Sequence, residues 1–345
     1  MPADRSFIAA PAPRRVPLVI ALGVALIAVA VCSPPAGAVV DGGPLTRAAA
    51  AAKKAPPRGR VDVGIGQQTP DVFSSPLFRK LKLSQARYIA PWDALKDPVQ
   101  RAALDQWVFA AVVNHVRPMI GFAHSLRSAR LARVLPSPKA YQRAFIGFRR
   151  RYPQVHDWVP WNEANPPTAL TGPRPDRAAR YFDIISHHCS GCRVVAADVL
   201  DVPNMAFWIQ RFLRHVHHKP KIWGLHNYHD ANAFTPKSTR RLLSLVHGQI
   251  WFTETGGVVK RRAINSKRSH LFRYSLKHAA RATKYALDLT RISKRIRRVY
   301  LYHWRAPKPF TTWDSALVDA KQRSRPAYRT LRSWLKSARR THLAR

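Results

Sequence analysis

Two glutamates, Glu163 and Glu254, stand among 345 residues, beside sixteen aspartates. Each closes an aromatic-rich apolar run: Trp161-Asn162-Glu163-Ala164-Asn165 and Trp251-Phe252-Thr253-Glu254-Thr255. Glutamate is usually a residue of exposed helix faces. A chain that uses it almost nowhere else, yet twice after strand-like runs, points to chemistry at those two places. Two carboxyl groups facing each other across a pocket can cleave a glycosidic bond. The protonated one gives its proton to the leaving oxygen, and the ionised one attacks the anomeric carbon. A carboxyl separation of about 5–5.5 Å leads to a covalent intermediate and retained stereochemistry.

The elements that must hold this pair follow from the hydrophobic pattern. Strands are expected at Val61–Gln67, Ala86–Trp92, Val116–Ala123, Asp157–Asn162, Arg193–Val199, Ile222–Tyr228, Gln249–Glu254 and Arg298–Trp304. Each is short and apolar, as a strand covered on both faces would be. Helices are expected at Pro98–His115, Pro138–Tyr152, Asp176–His188, Asn204–His217, Thr239–His247, Ser269–Ile292 and Pro326–Arg339. In the first, Leu104, Trp107, Val108, Ala111 and Val112 follow a 3.6-residue period. Asp97-Pro98 and Ser137-Pro138 place a capping side chain before Pro at the first helical position. This α/β alternation predicts a single (β/α)8 TIM barrel over 61–340, with 341–345 as a basic tail. An open doubly wound sheet is the other reading. It would carry a Gly-rich phosphate turn after the first strand, and Gly64-Ile65-Gly66-Gln67-Gln68 lacks the third Gly. Barrel active sites sit at the C-terminal ends of strands. Glu163 is expected at the end of strand four and Glu254 at the end of strand seven.

With those two positions, the chain resembles the retaining glycoside hydrolases of clan A, which are (β/α)8 barrels with catalytic glutamates on strands four and seven. Asn162-Glu163 matches that family's Asn-Glu pair, although Ala164 stands where Pro is usual. The resemblance implies that Glu163 is the acid/base and Glu254 the nucleophile. It also implies that Asn162 holds the sugar 2-hydroxyl, Arg87 lies near the nucleophile, Tyr228 hydrogen-bonds it, and Trp304 floors a sugar subsite. His226 and Trp161 adjoin these positions. His124 and Trp92 follow strand ends and are candidates for further subsites, as is Trp313. Asp198 and Asp201, at the end of strand five, could bind hydroxyls, with plain solvation as the default expectation. Trp158, Trp223 and Trp251 open strands and are expected in the core.

Neither cofactor nor metal is expected. His215, His217 and His218 cluster away from the expected pocket, and no H-E-x-x-H or close Cys/His set occurs. Cys189 and Cys192 are expected to form a local disulfide before strand five.

The N-terminal segment reads as an export signal: Arg14 and Arg15, an apolar run from Val16 to Cys32, then Ala36-Gly37-Ala38. Cleavage is expected after Ala38, with an uncleaved anchor as the alternative. No later run is long and apolar enough to span a bilayer. Residues 39–60 form a low-complexity basic linker. The formal charge of +41 first suggests nucleic acid, but an exported chain rarely meets it. An oligo- or polysaccharide substrate and an anionic cell-envelope polymer are the expected partners. A non-catalytic barrel that binds carbohydrate or polyanion is the competing reading.

Overall fold

A computed structural model describes residues 60–261, 275–307 and 313–344. The expected signal peptide and nearly all of the linker lie outside these residues, as does the start of the helix expected from Ser269. The strands are β1 Asp62–Gly66, β2 Gln85–Pro91, β3 Arg117–Ala123, β4 Asp157–Val159, β5 Arg193–Val194, β6 Asp198–Leu200, β7 Ile222–His226, β8 Gln249–Thr255, β9 Lys260–Arg261, β10 Ile296–Tyr302 and β11 Trp313–Asp314. Nine of them form one parallel sheet in the order β5-β4-β3-β2-β1-β10-β8-β7-β6.

The two ends of that order are halves of one strand. β5 pairs with β4, and β6 pairs with β7. Between them, the Val195 N–H donates to the Trp158 carbonyl at 2.9 Å and the Ala196 N–H to the Ile222 carbonyl at 2.8 Å. The segment from Arg193 to Leu200 therefore bonds both neighbours and closes the sheet into the expected (β/α)8 barrel. Strand five, expected as one piece, is interrupted where it passes from one partner to the other.

The helices are α1 Asp71–Ser74, α2 Pro76–Leu81, α3 Pro98–Val113, α4 Pro138–Arg151, α5 Pro175–His188, α6 Met205–Leu213, α7 Tyr228–Ala233, α8 Lys237–Leu245, α9 Leu276–Asp288 and α10 Pro326–Arg340. Asp97 caps α3, accepting from Val99 N at 2.9 Å and Gln100 N at 3.2 Å. Ser137 caps α4 through Ala140 N at 3.2 Å. The unexpected helices α1, α2 and α7 are too short for a helical period to show in sequence.

The core has two parts. The larger lies between sheet and helices and includes Trp107, Trp158, Trp208 and Trp223. The smaller comprises Met119, Val159, Val195, Ile222, Trp251 and Tyr300. Beside it, Arg298 stacks 3.9 Å from the Trp251 ring and pairs with Asp157 at 2.5 Å. Arg298 closes a basic stretch, Lys294-Arg295-Ile296-Arg297-Arg298, yet its neighbour relation to Trp251 across β10 and β8 buries it. The expected basic tail is likewise docked. Val61 N donates to the Leu343 carbonyl at 2.8 Å, and Leu343 and Ala344 are buried because they are apolar and cover core residues.

Candidate active site

The residues singled out by their chemistry converge at the C-terminal end of the barrel. Arg87 comes from β2, Asp198 opens β6, His226 ends β7 and Glu254 is the penultimate residue of β8. The register places Leu200 beside His226 and His226 beside Glu254. β4 ends at Val159, earlier than expected, so Trp161, Asn162 and Glu163 lie on the loop that follows. That loop keeps sheet-like anchors: Asn162 N donates to the Phe122 carbonyl at 2.7 Å, and Ala164 N to the Asp198 carbonyl at 2.8 Å. Between them Glu163 takes a left-handed φ of 47°, an uncommon conformation for a side chain other than Gly, Asn or Asp. β7 also ends early, so Tyr228 opens α7.

A carboxylate oxygen of Glu163, a ring nitrogen of His226 and a carboxylate oxygen of Glu254 all lie within 4.8 Å of one another. Glu254 is held from two sides. Arg87 Nη1 donates to its Oε2 at 2.7 Å, and the Tyr228 hydroxyl donates to its Oε1 at 3.0 Å. Glu163 Oε1 lies 3.2 Å from His226 Nδ1. Arg87 Nη2 donates to Asn162 Oδ1 at 2.6 Å and to Asp198 Oδ2 at 2.7 Å. The opposite His226 nitrogen, Nε2, lies 3.3 Å from the same Asp198 oxygen. Asp198 is thus a buried hub rather than the solvated residue expected, because two cations face it from β2 and β7.

These contacts set the protonation states. Burial alone would lower the His226 pKa, but the charges of Glu254 and Asp198, with the hydrogen bonds to Asp198 and Glu163, raise it to about 10. The ring is therefore an imidazolium at neutral pH. Burial would raise the Asp198 pKa, but Arg87 and His226 hold it below the usual carboxylate range. Burial, followed by the Glu254 charge, pushes the Tyr228 phenol well up, so it stays a neutral donor.

Several expected site residues sit elsewhere. Trp304 is fully buried, edge-on to Phe78 of α2 at 5.7 Å and to Tyr328 of α10 at 6.1 Å. It cannot floor a subsite, because β10 ends at Tyr302 and position 304 turns into the helix layer. Tyr302 takes the pocket position. It is partly exposed, and burial together with the charge of Glu254 raises its pKa. The expectation of a tryptophan passed over it. The alternation along β10 is the signal that could have found it, since Tyr300 already points into the smaller core. Trp161 is buried 5.6 Å from the Tyr181 ring of α5, so it packs behind the loop rather than against substrate. Trp92 lies under the Lys96 ammonium at 5.8 Å and is nearly closed to solvent. His124 is half-buried after β3, and burial lowers its pKa, leaving a neutral ring. Trp313 meets Tyr228 edge-on at 4.9 Å and so borders the pocket. Asp201 accepts the Asp230 N–H at 2.8 Å and anchors a loop.

Among the described residues, two groups of side chains are close enough to hold a metal ion: Glu163 with His226 and Glu254, and Asp201 with His229 and Asp230. In the first, both His226 ring nitrogens already face carboxylates, Nδ1 that of Glu163 at 3.2 Å and Nε2 that of Asp198 at 3.3 Å. In the second, Asp230 already accepts from Ser238 N at 3.0 Å, Thr239 N at 2.7 Å and Thr239 Oγ1 at 2.8 Å. His217 and His218 donate their backbone N–H groups to Asp183, remote from the pocket. Cys189 and Cys192 form the expected disulfide.

No protein-family model and no curated protein matches the chain by sequence. Solved structures match its fold. A fungal β-1,4-galactanase shares 10% identity and a TM-score of 0.61, covering 79% of this chain and 99% of its own. GH5_18 from Streptomyces cattleya, in complex with GlcNAc, shares 12% identity and a TM-score of 0.58, covering 82% and 81%. Xylanase 10B from Thermotoga petrophila RKU-1, in complex with xylobiose, shares 11% identity and a TM-score of 0.57, covering 81% and 94%. These similarities establish the barrel fold.

Proposed function

We propose that the protein is a glycoside hydrolase that cleaves β-linked O-glycosidic bonds with retention of configuration. One observation carries this reading: Glu163 and Glu254 bring carboxylate oxygens within 4.8 Å of each other. A closest approach of that order supports the roughly 5–5.5 Å carboxyl separation of a retaining pair over the about 6.5–9.5 Å of an inverting one. The surroundings support different roles for the two. Glu254 accepts from a guanidinium and a phenol, which suits the attacking carboxylate. Glu163 is the partner with the freer face, 14% exposed at its side chain.

In the first step, a Glu254 oxygen bonds to the anomeric carbon while the bond from that carbon to the leaving oxygen breaks. Glu163 gives its proton to the leaving oxygen. In the second step, Glu163 takes a proton from water, the water oxygen bonds to the anomeric carbon, and Glu254 leaves as a carboxylate. Asn162, whose Oδ1 accepts from Arg87, would bind the sugar 2-hydroxyl. Tyr302 and Trp313 offer aromatic faces for sugar C–H groups. The β preference is supported by the similarity to a β-1,4-galactanase. The N-terminal pattern supports export to the cell envelope or beyond, where the basic surface would meet anionic polymers.

The test is a panel of aryl and oligomeric glycosides assayed with wild type, Glu163→Ala and Glu254→Ala. Azide should rescue both variants and give glycosyl azides of opposite anomeric configuration. Hydrolysis that survives loss of Glu254 would reject the nucleophile. Glycan binding by wild type with no turnover on any member would favour a non-catalytic binding barrel.

A further inference from the structure

We propose that Asp198 is a positioning residue for both glutamates: through one oxygen it anchors the two cations that touch them. The inference rests on the glycosidase reading above. Asp198 has no exposed surface, so it does not meet substrate. Its Oδ2 accepts from Arg87 Nη2 at 2.7 Å and lies 3.3 Å from His226 Nε2. Arg87 carries this anchor to Glu254 at 2.7 Å, and His226 carries it to Glu163 at 3.2 Å. Each catalytic carboxylate is therefore one cation away from the same aspartate.

The barrel makes room for this residue. A Cβ on Gly224 of β7 would lie 2.0 Å from Asp198 Oδ1 and 2.7 Å from Thr253 Oγ1. The register pairs Asp198 directly with Gly224. A side chain at Gly224 would push Asp198 off both cations.

Charge counting shows what the anchor does. The charged groups facing His226 are Arg87 from β2, Glu163 from the loop after β4, Asp198 from β6 and Glu254 from β8. The phenols of Tyr228 and Tyr302 stand beside Glu254. With Arg87 and His226 cationic and Asp198 and Glu254 anionic, the cluster is neutral when Glu163 keeps its proton. That is the state needed before the leaving group departs. Without the Asp198 charge, the excess positive charge is relieved by releasing a proton from His226 at lower pH.

The test combines a spectroscopic and a kinetic arm. Nitrogen-15 NMR follows the imidazole of His226, assigned by the signals lost in His226→Gln. In wild type both ring nitrogens should remain protonated at about pH 8, above the ordinary imidazole range. In Asp198→Asn the ring should titrate at lower pH. On a glycoside that wild type hydrolyses, Asp198→Asn should lower kcat about tenfold or more, with a smaller change in KM. The alkaline limb of its pH profile should move to lower pH. A wild-type His226 that titrates in the ordinary range would overturn the proposal, as would an Asp198→Asn enzyme with wild-type kcat and pH profile. If no glycoside is cleaved, the glycosidase reading fails, and the NMR arm still decides whether Asp198 holds His226. If Asp198→Asn does not fold, Gly224→Ala, whose Cβ would displace Asp198, is read by the same two arms.

Discussion

Arg87 Nη1 and Glu254 Oε2 lie 2.7 Å apart, with the arginine side chain 1% exposed and the glutamate 8%. A guanidinium so deep in a barrel is tolerated because Glu254, Asn162 and Asp198 all accept from it. Replacing Arg87 with Met leaves two carboxylates facing each other across the vacated space. We expect Arg87→Met to lose about 3–5 kcal/mol of stability, the usual cost of breaking a buried pair. Urea denaturation measures it. Arg87→Lys should recover only part, since an ammonium cannot reproduce the planar fork.

Tyr228→Phe removes one hydroxyl from Glu254 and keeps the ring against Trp313. A hydrogen bond to a charged group contributes about 1.5–3 kcal/mol. We expect kcat/KM to fall roughly ten- to a hundredfold, with little change in melting temperature. An unchanged kcat/KM would place the hydroxyl outside the reaction.

Tyr302 and Trp304 should separate binding from stability. Trp304→Ala opens a cavity between α2, α10 and the sheet and should cost about 3–5 kcal/mol. Tyr302→Ala should leave the melting curve close to wild type and raise KM for oligosaccharides. The reversed pattern would mean that Trp304, not Tyr302, meets the sugar.

Two buried histidines predict opposite pH slopes. The folded pKa of His226 is raised to about 10. Its contribution to stability is complete below the unfolded value of about 6.5 and is lost as pH rises through about 10. His303 is the reverse: burial lowers its folded pKa to about 4. The unfolded chain takes up a proton first, so stability falls as pH drops from about 6.5 toward 4. Melting curves across pH should show His226→Gln lacking the alkaline slope and His303→Gln lacking the acid one.

Retention on an anionic polymer should be electrostatic. The protein should bind heparin-coated or polygalacturonate beads at low salt and elute with modest salt, because the Debye length falls to about 8 Å at 0.15 M ionic strength. Binding that resists salt would point to a specific site instead.

The barrel was legible in the sequence because parallel strands covered on both faces are written as continuous apolar runs. All eight barrel strands lie within a few residues of expectation. Glu163 and Glu254 stood out as the two glutamates of the chain, each closing a strand-like run, while Arg87, Asn162 and Tyr228 came from the resemblance to clan A; the structure brings these residues and His226 into one hydrogen-bonded cluster. Asp198 was not legible, since nothing in a sequence separates a solvated Asp from one that Arg87 and His226 reach from distant strands. Trp304 misled for a related reason. Residue type suggested a sugar platform, while the last two residues of chain direction after β10 decided which way the ring turned. Arg298 sits in a basic stretch, and only its pairing with Asp157 shows that it lies inside.

Val61 and Ala344 pair in a parallel bridge, where β1 begins and opposite the end that carries Glu163 and Glu254. Any support attached at Val61 or Ala344 therefore meets the end of the barrel opposite the pocket. A molecule tethered this way to beads, a surface or a fusion partner would stand with its pocket facing outward, open to long polymers as well as to small glycosides.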